Sequence, residues 1–295
     1  MPVDLLEPFS YNYMVNAMFV SAMVGGICAA LSAFLMLKGW SLIGDALSHS
    51  VVPGVAGAYI LGLPFAAGAF LAGGLAAGSI LFLTKRTGLK EDVIIGLIFT
   101  SFFGLGLFMV SIYPTSISIQ TIIMGNVLAI QAADTIQLVA ISIITSAVLL
   151  IVWRDLLAVF FDEDHAKSVG LNPALLKGIF FTLLSATVVA AMQTVGAFLV
   201  IALVITPGAT AYLLTDKFSR LIGYAIVIGI MTSFIGTYLS YFLNGATGGL
   251  IVCLQTLIFM LAFAFAPKYG QRASKSNPAE TDSMLSDGAN IRRAL

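Results

Sequence analysis

Gly44-Asp45-Ala46-Leu47-Ser48-His49-Ser50-Val51-Val52-Pro53-Gly54-Val55-Ala56-Gly57 is the stretch on which the reading of this chain turns. Asp45 and His49 are the only Asp and His between Lys38 and Lys85, and everything around them is apolar or small. They are four positions apart, so on a helix both side chains leave the same face, one turn from each other. A carboxylate oxygen beside an imidazole nitrogen suits a divalent transition metal. Such groups are costly in lipid unless they are paired or carry function. What the pair does therefore depends on whether the rest of the chain sits in a membrane.

The composition says that it does. Of 295 residues, 59% are hydrophobic and 9% charged, against about 25% charged in soluble domains. Mean hydropathy is +1.03. Net charge is zero and no polybasic stripe is present, so a nucleic-acid partner is not expected. Cys28 and Cys253 lie singly in apolar runs without a CxxC or zinc spacing, and read as packing residues. Asp4, Glu7 and Pro8 precede the first apolar run, in place of the basic segment of a cleaved signal peptide.

Working outward, runs long enough to span a bilayer, about 20 residues each, fall near 13–37, 44–63, 65–84, 93–112, 134–153, 176–193, 196–214, 221–243 and 249–266. The second, with its Asp, His and Pro, is the least regular. The sixth and seventh are almost continuous, with a break at Gln193 to Gly196. If the loop holding Lys38 faces inward, all 14 Lys and Arg fall on the inner side. That sorting follows the positive-inside rule, and puts the N-terminus outside and the C-terminus in the cytoplasm. Parity is set better than number: removing one re-entrant hairpin leaves the sorting unchanged. The expectation is an all-α polytopic membrane bundle of seven to nine spans, with nine preferred. Residues 1–12 form an extracytoplasmic N-terminus, 13–268 the transmembrane domain and 269–295 a disordered cytoplasmic tail.

Two connections stand out. Residues 113–133 are uncharged and apolar, broken by Pro114 and Gly125, and read as a lid at the outer mouth or as an interfacial helix. Residues 154–175 form the longest inner connection. Asp162, Glu163 and Asp164 suit the positive end of a short helix, Gly170 its stop, and Pro173 follows. This segment is either an ordered connector or a docking knob for a soluble partner.

Membrane-embedded charge is scarce. Glu91 and Asp92 read as a helix start, and Asp134 as the outer cap of the fifth span. Asp45 has a capping alternative after Gly44, and His49 alone would pass for a buried, hydrogen-bonded histidine. As a pair on one face they read as metal ligands. One chain then supplies two, and a two-fold dimer would supply four oxygen and nitrogen ligands without thiolate, a set for manganese, ferrous iron or zinc. Weak, partly hydrated coordination suits a site that an ion must leave. No Gly-x-x-x-x-Gly-Lys-Ser/Thr loop is present, so ATP-driven transport would need a separate ATPase.

These motifs resemble the metal-type permeases of bacterial ATP-binding cassette importers, the ABC-3 family, over about residues 10–268. Gly44 to Ala56 looks like the family's GDALSHAVLPGVA signature, with mild variation that includes Ser50. Glu91-Asp92-Val93-Ile94-Ile95-Gly96 resembles the stretch opening its fourth span, and Ile205-Thr206-Pro207-Gly208-Ala209 its ITPAA-like segment. Phe161-Asp162 through Gly170-Leu171 resembles the segment that engages the ATPase. The resemblance implies a type II importer permease of the bacterial inner membrane, working as a homodimer or with a close paralogue. Two ATPase subunits and an extracytoplasmic metal-binding protein would complete it, with no permanently bound cofactor. Asp45 and His49 fall on the family's metal pathway. Asp162, Glu163, Asp164, Ala166, Gly170 and Leu171 fall on its ATPase-coupling segment. Residues 117–128 look closer to manganese and iron members than to zinc members, so manganese is placed first, iron second and zinc third. A proton-coupled secondary transporter or channel using Asp45 and His49 is the competing class. The docking-type loop favours the importer, and no second Asp-x-x-x-His segment marks an inverted repeat.

Overall fold

The computed structural model describes residues 5–40, 42–113, 130 and 132–265. Among them are eleven α-helices: α1 Asn12–Lys38, α2 Ile43–Ser50, α3 Val52–Leu61, α4 Phe65–Arg86, α5 Glu91–Ile112, α6 Ala132–Phe161, α7 Glu163–Ser168, α8 Pro173–Val195, α9 Ala197–Leu214, α10 Phe218–Leu243 and α11 Thr247–Phe265. Eight are long and apolar enough to cross a membrane. The expected bundle of seven to nine spans therefore stands. The stretches 113–133 and 269–295 lie, but for a few positions, outside the described residues.

Two departures from the sequence reading have clear causes. The span expected at 44–63 is two short helices, α2 and α3, joined at Val51. Pro53 has no N–H to give the carbonyl of His49, and its ring crowds that carbonyl, so one uninterrupted helix is costly here. The fifth span was expected to end at residue 153, where Arg154 and Asp155 interrupt the apolar run. Instead α6 continues to Phe161. Leu156, Val159 and Phe160 keep the helical spacing and are buried. Phe160 meets Trp40 and Phe180 edge-on, with ring centres 5.4 and 5.0 Å apart. The inner connection is thus shorter than 154–175.

Lipid offers apolar side chains no drive toward one another, so helices pair through close backbone approach and polar contacts. The α1–α10 and α3–α4 pairs are built this way. A Cβ on Gly25 would lie 2.3 Å from the carbonyl oxygen of Gly229, and the reverse holds at the same distance. Gly54 and Gly68 face each other in the same manner, at 2.1 and 2.2 Å. Thr145 and Thr187 join α6 to α8 at 3.1 Å, and Gln255 donates to Thr232 across α11 and α10 at 3.2 Å. Such bonds contribute on average about 0.6 kcal/mol each in a membrane. Large apolar side chains meanwhile point outward: Leu150 is 75% and Ile151 78% exposed. That surface suits lipid, not water.

At the centre, α9 contains Pro207, whose missing N–H would weaken the helix. Ser32 of α1 braces the backbone on either side of it. Its hydroxyl donates to the carbonyl of Ile205 at 3.1 Å and accepts from the N–H of Gly208 at 3.1 Å. A Cβ on Gly208 would lie 2.3 Å from that hydroxyl, so glycine is needed there. The Ile205–Ala209 motif is explained by helix packing.

Candidate metal and docking sites

Helix α2 packs against α4, α5, α8 and α9. Ile43, Gly44, Ala46 and Leu47 are buried. Gly44 lets α9 come close: a Cβ there would be 2.8 Å from Val204. With that face committed to packing, Asp45 and His49 project from the other. The Asp45 Oδ1 and His49 Nε2 atoms are 3.3 Å apart, and their side chains are 37% and 21% exposed. The contact is long for a hydrogen bond between these groups, and leaves lone pairs on both. Ser48 and Ser50 are buried, and their hydroxyls donate back to the carbonyls of Gly44 and Ala46 at 2.8 and 2.6 Å. The capping role is not what Asp45 does here: α2 begins at Ile43, with no side-chain cap at Leu42.

Phe99 and Phe103 of α5 meet the His49 ring edge-on, with centres 5.3 and 5.1 Å away. They shield one side of the imidazole and hold its orientation. Four apart on a helix opposite the pair, they belong to the site although nothing in the sequence marked them; two phenylalanines in an apolar run read as core. Among the described residues, no group of three or more His, Cys, Asp or Glu side chains converges for a metal. Asp45 and His49 stand as a pair.

Helix α7 is where the acidic cluster placed it. The Asp162 carboxylate accepts from the N–H groups of Asp164 and His165 at 2.9 and 3.0 Å, a true N-cap. These hydrogen bonds, that of His165 foremost, hold the Asp162 carboxyl below its ordinary value of 3.8. The cap therefore persists at neutral pH and is lost only as pH falls below the ordinary carboxylate range. At the other end, Gly170 has φ +86°. It lets its own N–H bond the carbonyl of Lys167, and that of Leu171 the carbonyl of Ala166, both at 3.0 Å, closing a Schellman turn. Ala166 is fully buried beneath it. Asn172 then caps α8, accepting from Ala174 and Leu175 at 3.1 and 3.2 Å, with Pro173 in the first turn. Pro173 thus opens the next helix besides ending this one. Glu163 does not point to solvent as a bare dipole charge. It forms an ion pair with Lys177 of α8.

Glu91 and Asp92 lie in the first turn of α5, but the cap position is Lys90 and no side chain caps it. The Glu91 carboxylate accepts instead from the indole N–H of Trp40. Asp134 sits in the first turn of α6.

Comparison with known proteins agrees with this architecture. Residues 10–266 match the ABC 3 transport family. The chain is 62% identical over 271 residues to the chelated iron transport system membrane protein YfeC of Yersinia pestis, covering 92% of each. It is 44% identical over 284 residues to the manganese transport system membrane protein MntB of Synechocystis, covering 94% of this chain and 93% of that one. Among solved structures it superimposes on PsaBC from Streptococcus pneumoniae, in complex with Fab, with a TM-score of 0.82 at 33% identity. That match covers 94% of this chain and 100% of the other.

Proposed function

The chain belongs to the ABC 3 transport family, and from that premise we propose that it moves a divalent transition metal into the bacterial cytoplasm as the permease of an ATP-driven importer. The observation that carries this reading is the Asp45–His49 pair, two unsaturated ligands 3.3 Å apart on one face of a helix packed inside the bundle. A second permease copy across a two-fold axis brings two more, giving a mixed oxygen and nitrogen set. Among the described residues neither group is held by a further hydrogen bond, so an ion that binds can also leave.

The pieces take these places. Residues 13–268 form the permease domain, with residues 1–12 outside the cell and the tail 269–295 in the cytoplasm. Helices α2 and α3 together make a ninth crossing, which keeps every cation on the inner side. Asp162, Glu163, Asp164, Ala166, Gly170 and Leu171 form the knob on which an ATPase subunit docks, one for each permease. An extracytoplasmic binding protein delivers the ion. For cargo, residues 117–128 favour manganese and iron. The relative at 62% identity is named for iron and that at 44% for manganese. Iron and manganese therefore share first place, and zinc follows.

The test is uptake of labelled manganese, ferrous iron and zinc in cells expressing the permease with its ATPase and binding protein, beside Asp45→Asn. One or two metals accumulate in the wild type and none in the variant. Equal accumulation in both strains would remove the pair from the pathway.

A further inference from the structure

Lys177 is the one fully charged side chain classed as buried among the described residues, at 8% exposure. It lies about one turn into α8 and reaches two elements. Its ammonium pairs with Glu163 of α7 and lies 5.6 Å from the centre of the Trp40 ring, within cation–π range. Trp40, itself 4% exposed, stands five positions before Asp45 at the entrance to α2. Its indole N–H goes to Glu91, which opens α5. One continuous polar chain thus runs Glu163–Lys177–Trp40–Glu91. It starts on the knob and ends on the two helices that hold the His49 site: α2 carries the ligands, and α5 carries Phe99 and Phe103.

Stability does not account for a charge in this place. An ion pair withdrawn from water loses about as much hydration as it gains in attraction, and apolar residues of similar size often do as well or better. Methionine in place of Lys177 would keep the stem packed on Trp40 without the charge. Nor is the junction a solid block. Trp40, Ile43, Glu91, Glu163 and Lys177 line a cleft of about 270 Å³, which leaves the ammonium and the carboxylates room to shift.

We propose that Lys177 is a positioning residue that transmits movement of α7 to α2 and α5, tying events at the knob to the exposure of Asp45 and His49. The inference rests on the docking role assigned to α7 above. When α7 moves, Glu163 carries the ammonium with it. Trp40 and Glu91 follow, and α2 and α5 move together because the indole joins them.

The experiment uses the whole importer, permease with ATPase and binding protein, reconstituted in proteoliposomes. Labelled manganese imported per ATP hydrolysed is measured together with the amount of ATPase that co-purifies. Lys177→Met is expected to retain the ATPase and hydrolyse ATP within about twofold of wild type, while metal imported per ATP falls roughly tenfold, a typical size for coupling between sites. Lys177→Arg, which keeps the charge, restores most of the ratio. So does the exchange of Glu163→Lys with Lys177→Glu, relative to either change alone. An unchanged ratio in Lys177→Met overturns the proposal and leaves the pair as packing. Should Lys177→Met fail to accumulate, Lys177→Gln is read in its place, against the same two outcomes. A wild-type complex that retains no ATPase overturns the docking reading instead, and is told apart by that control.

Discussion

The two polar regions of this chain are built on opposite plans. Around Asp162, the helix ends are satisfied: the carboxylate takes two backbone N–H groups, Gly170 closes the far end, and Asn172 starts the next helix. Around Asp45, the carboxylate and imidazole share one 3.3 Å contact and keep spare lone pairs. The proposed roles account for the difference: a docking surface gains from rigidity, because ordering it costs nothing at the moment of docking, and a transit site gains from being incomplete. The contrast does not reach the serines: Ser168 in α7 and Ser48 beside the pair both bond back to their own helix.

The contrast can be broken most sharply at the ligands. His49→Ala should lower metal uptake by more than about a hundredfold, the upper end for losing an outer-shell partner, while ATPase co-purification stays at the wild-type level. Loss of both together would show that the two regions are one structural unit. Next is Gly44→Val, which forces α2 away from Val204. Overpacking of this kind costs about 1–3 kcal/mol, and uptake should fall roughly tenfold with docking untouched; a variant transporting normally would mean that the position of α2 is not set by α9. Gly170→Val tests the other side. A branched residue at φ +86° stores about 1–3 kcal/mol of strain, so ATPase affinity should drop by about tenfold in a pull-down titration, and metal binding by the permease alone should not change. The smallest effect is expected for Ser48→Ala. Uptake within about twofold of wild type would agree with a hydroxyl turned back on its helix, whereas a large loss would make Ser48 a ligand.

Much of this was legible in advance. Spans such as 65–84 and 221–243 are continuous apolar runs, and hydropathy reads those directly. The knob was legible because its signals are local: Asp162, Gly170 and Asn172-Pro173 each act on the backbone within four residues. The second span was harder. Its helical extent was close, residues 43–61 against 44–63, but the break at Val51 depends on how α2 and α3 each find neighbours once Pro53 has removed a bond. The end of the fifth span was missed because Arg154 and Asp155 end a hydropathy window, while Phe160 continues to pack on Trp40. Glu91 was taken for a helix-start charge, and its indole partner lies 51 positions away.

By itself, then, the sequence determined the class of the molecule, the start and stop of α7 and the placing of Asp45 and His49 on one helix face. All of these rest on composition, period or spacing within one or two turns. Only the tertiary structure decided that Phe99 and Phe103 flank His49, that Ser32 bridges the α9 proline break, and that Lys177 joins the knob to the helices of the metal pair. Those contacts join residues from 14 to 176 positions apart, and all but the Glu163–Lys177 pair are about 50 or more apart. No local pattern encodes them, because in a bundle of apolar helices the partner of a polar side chain is chosen by how the helices pack.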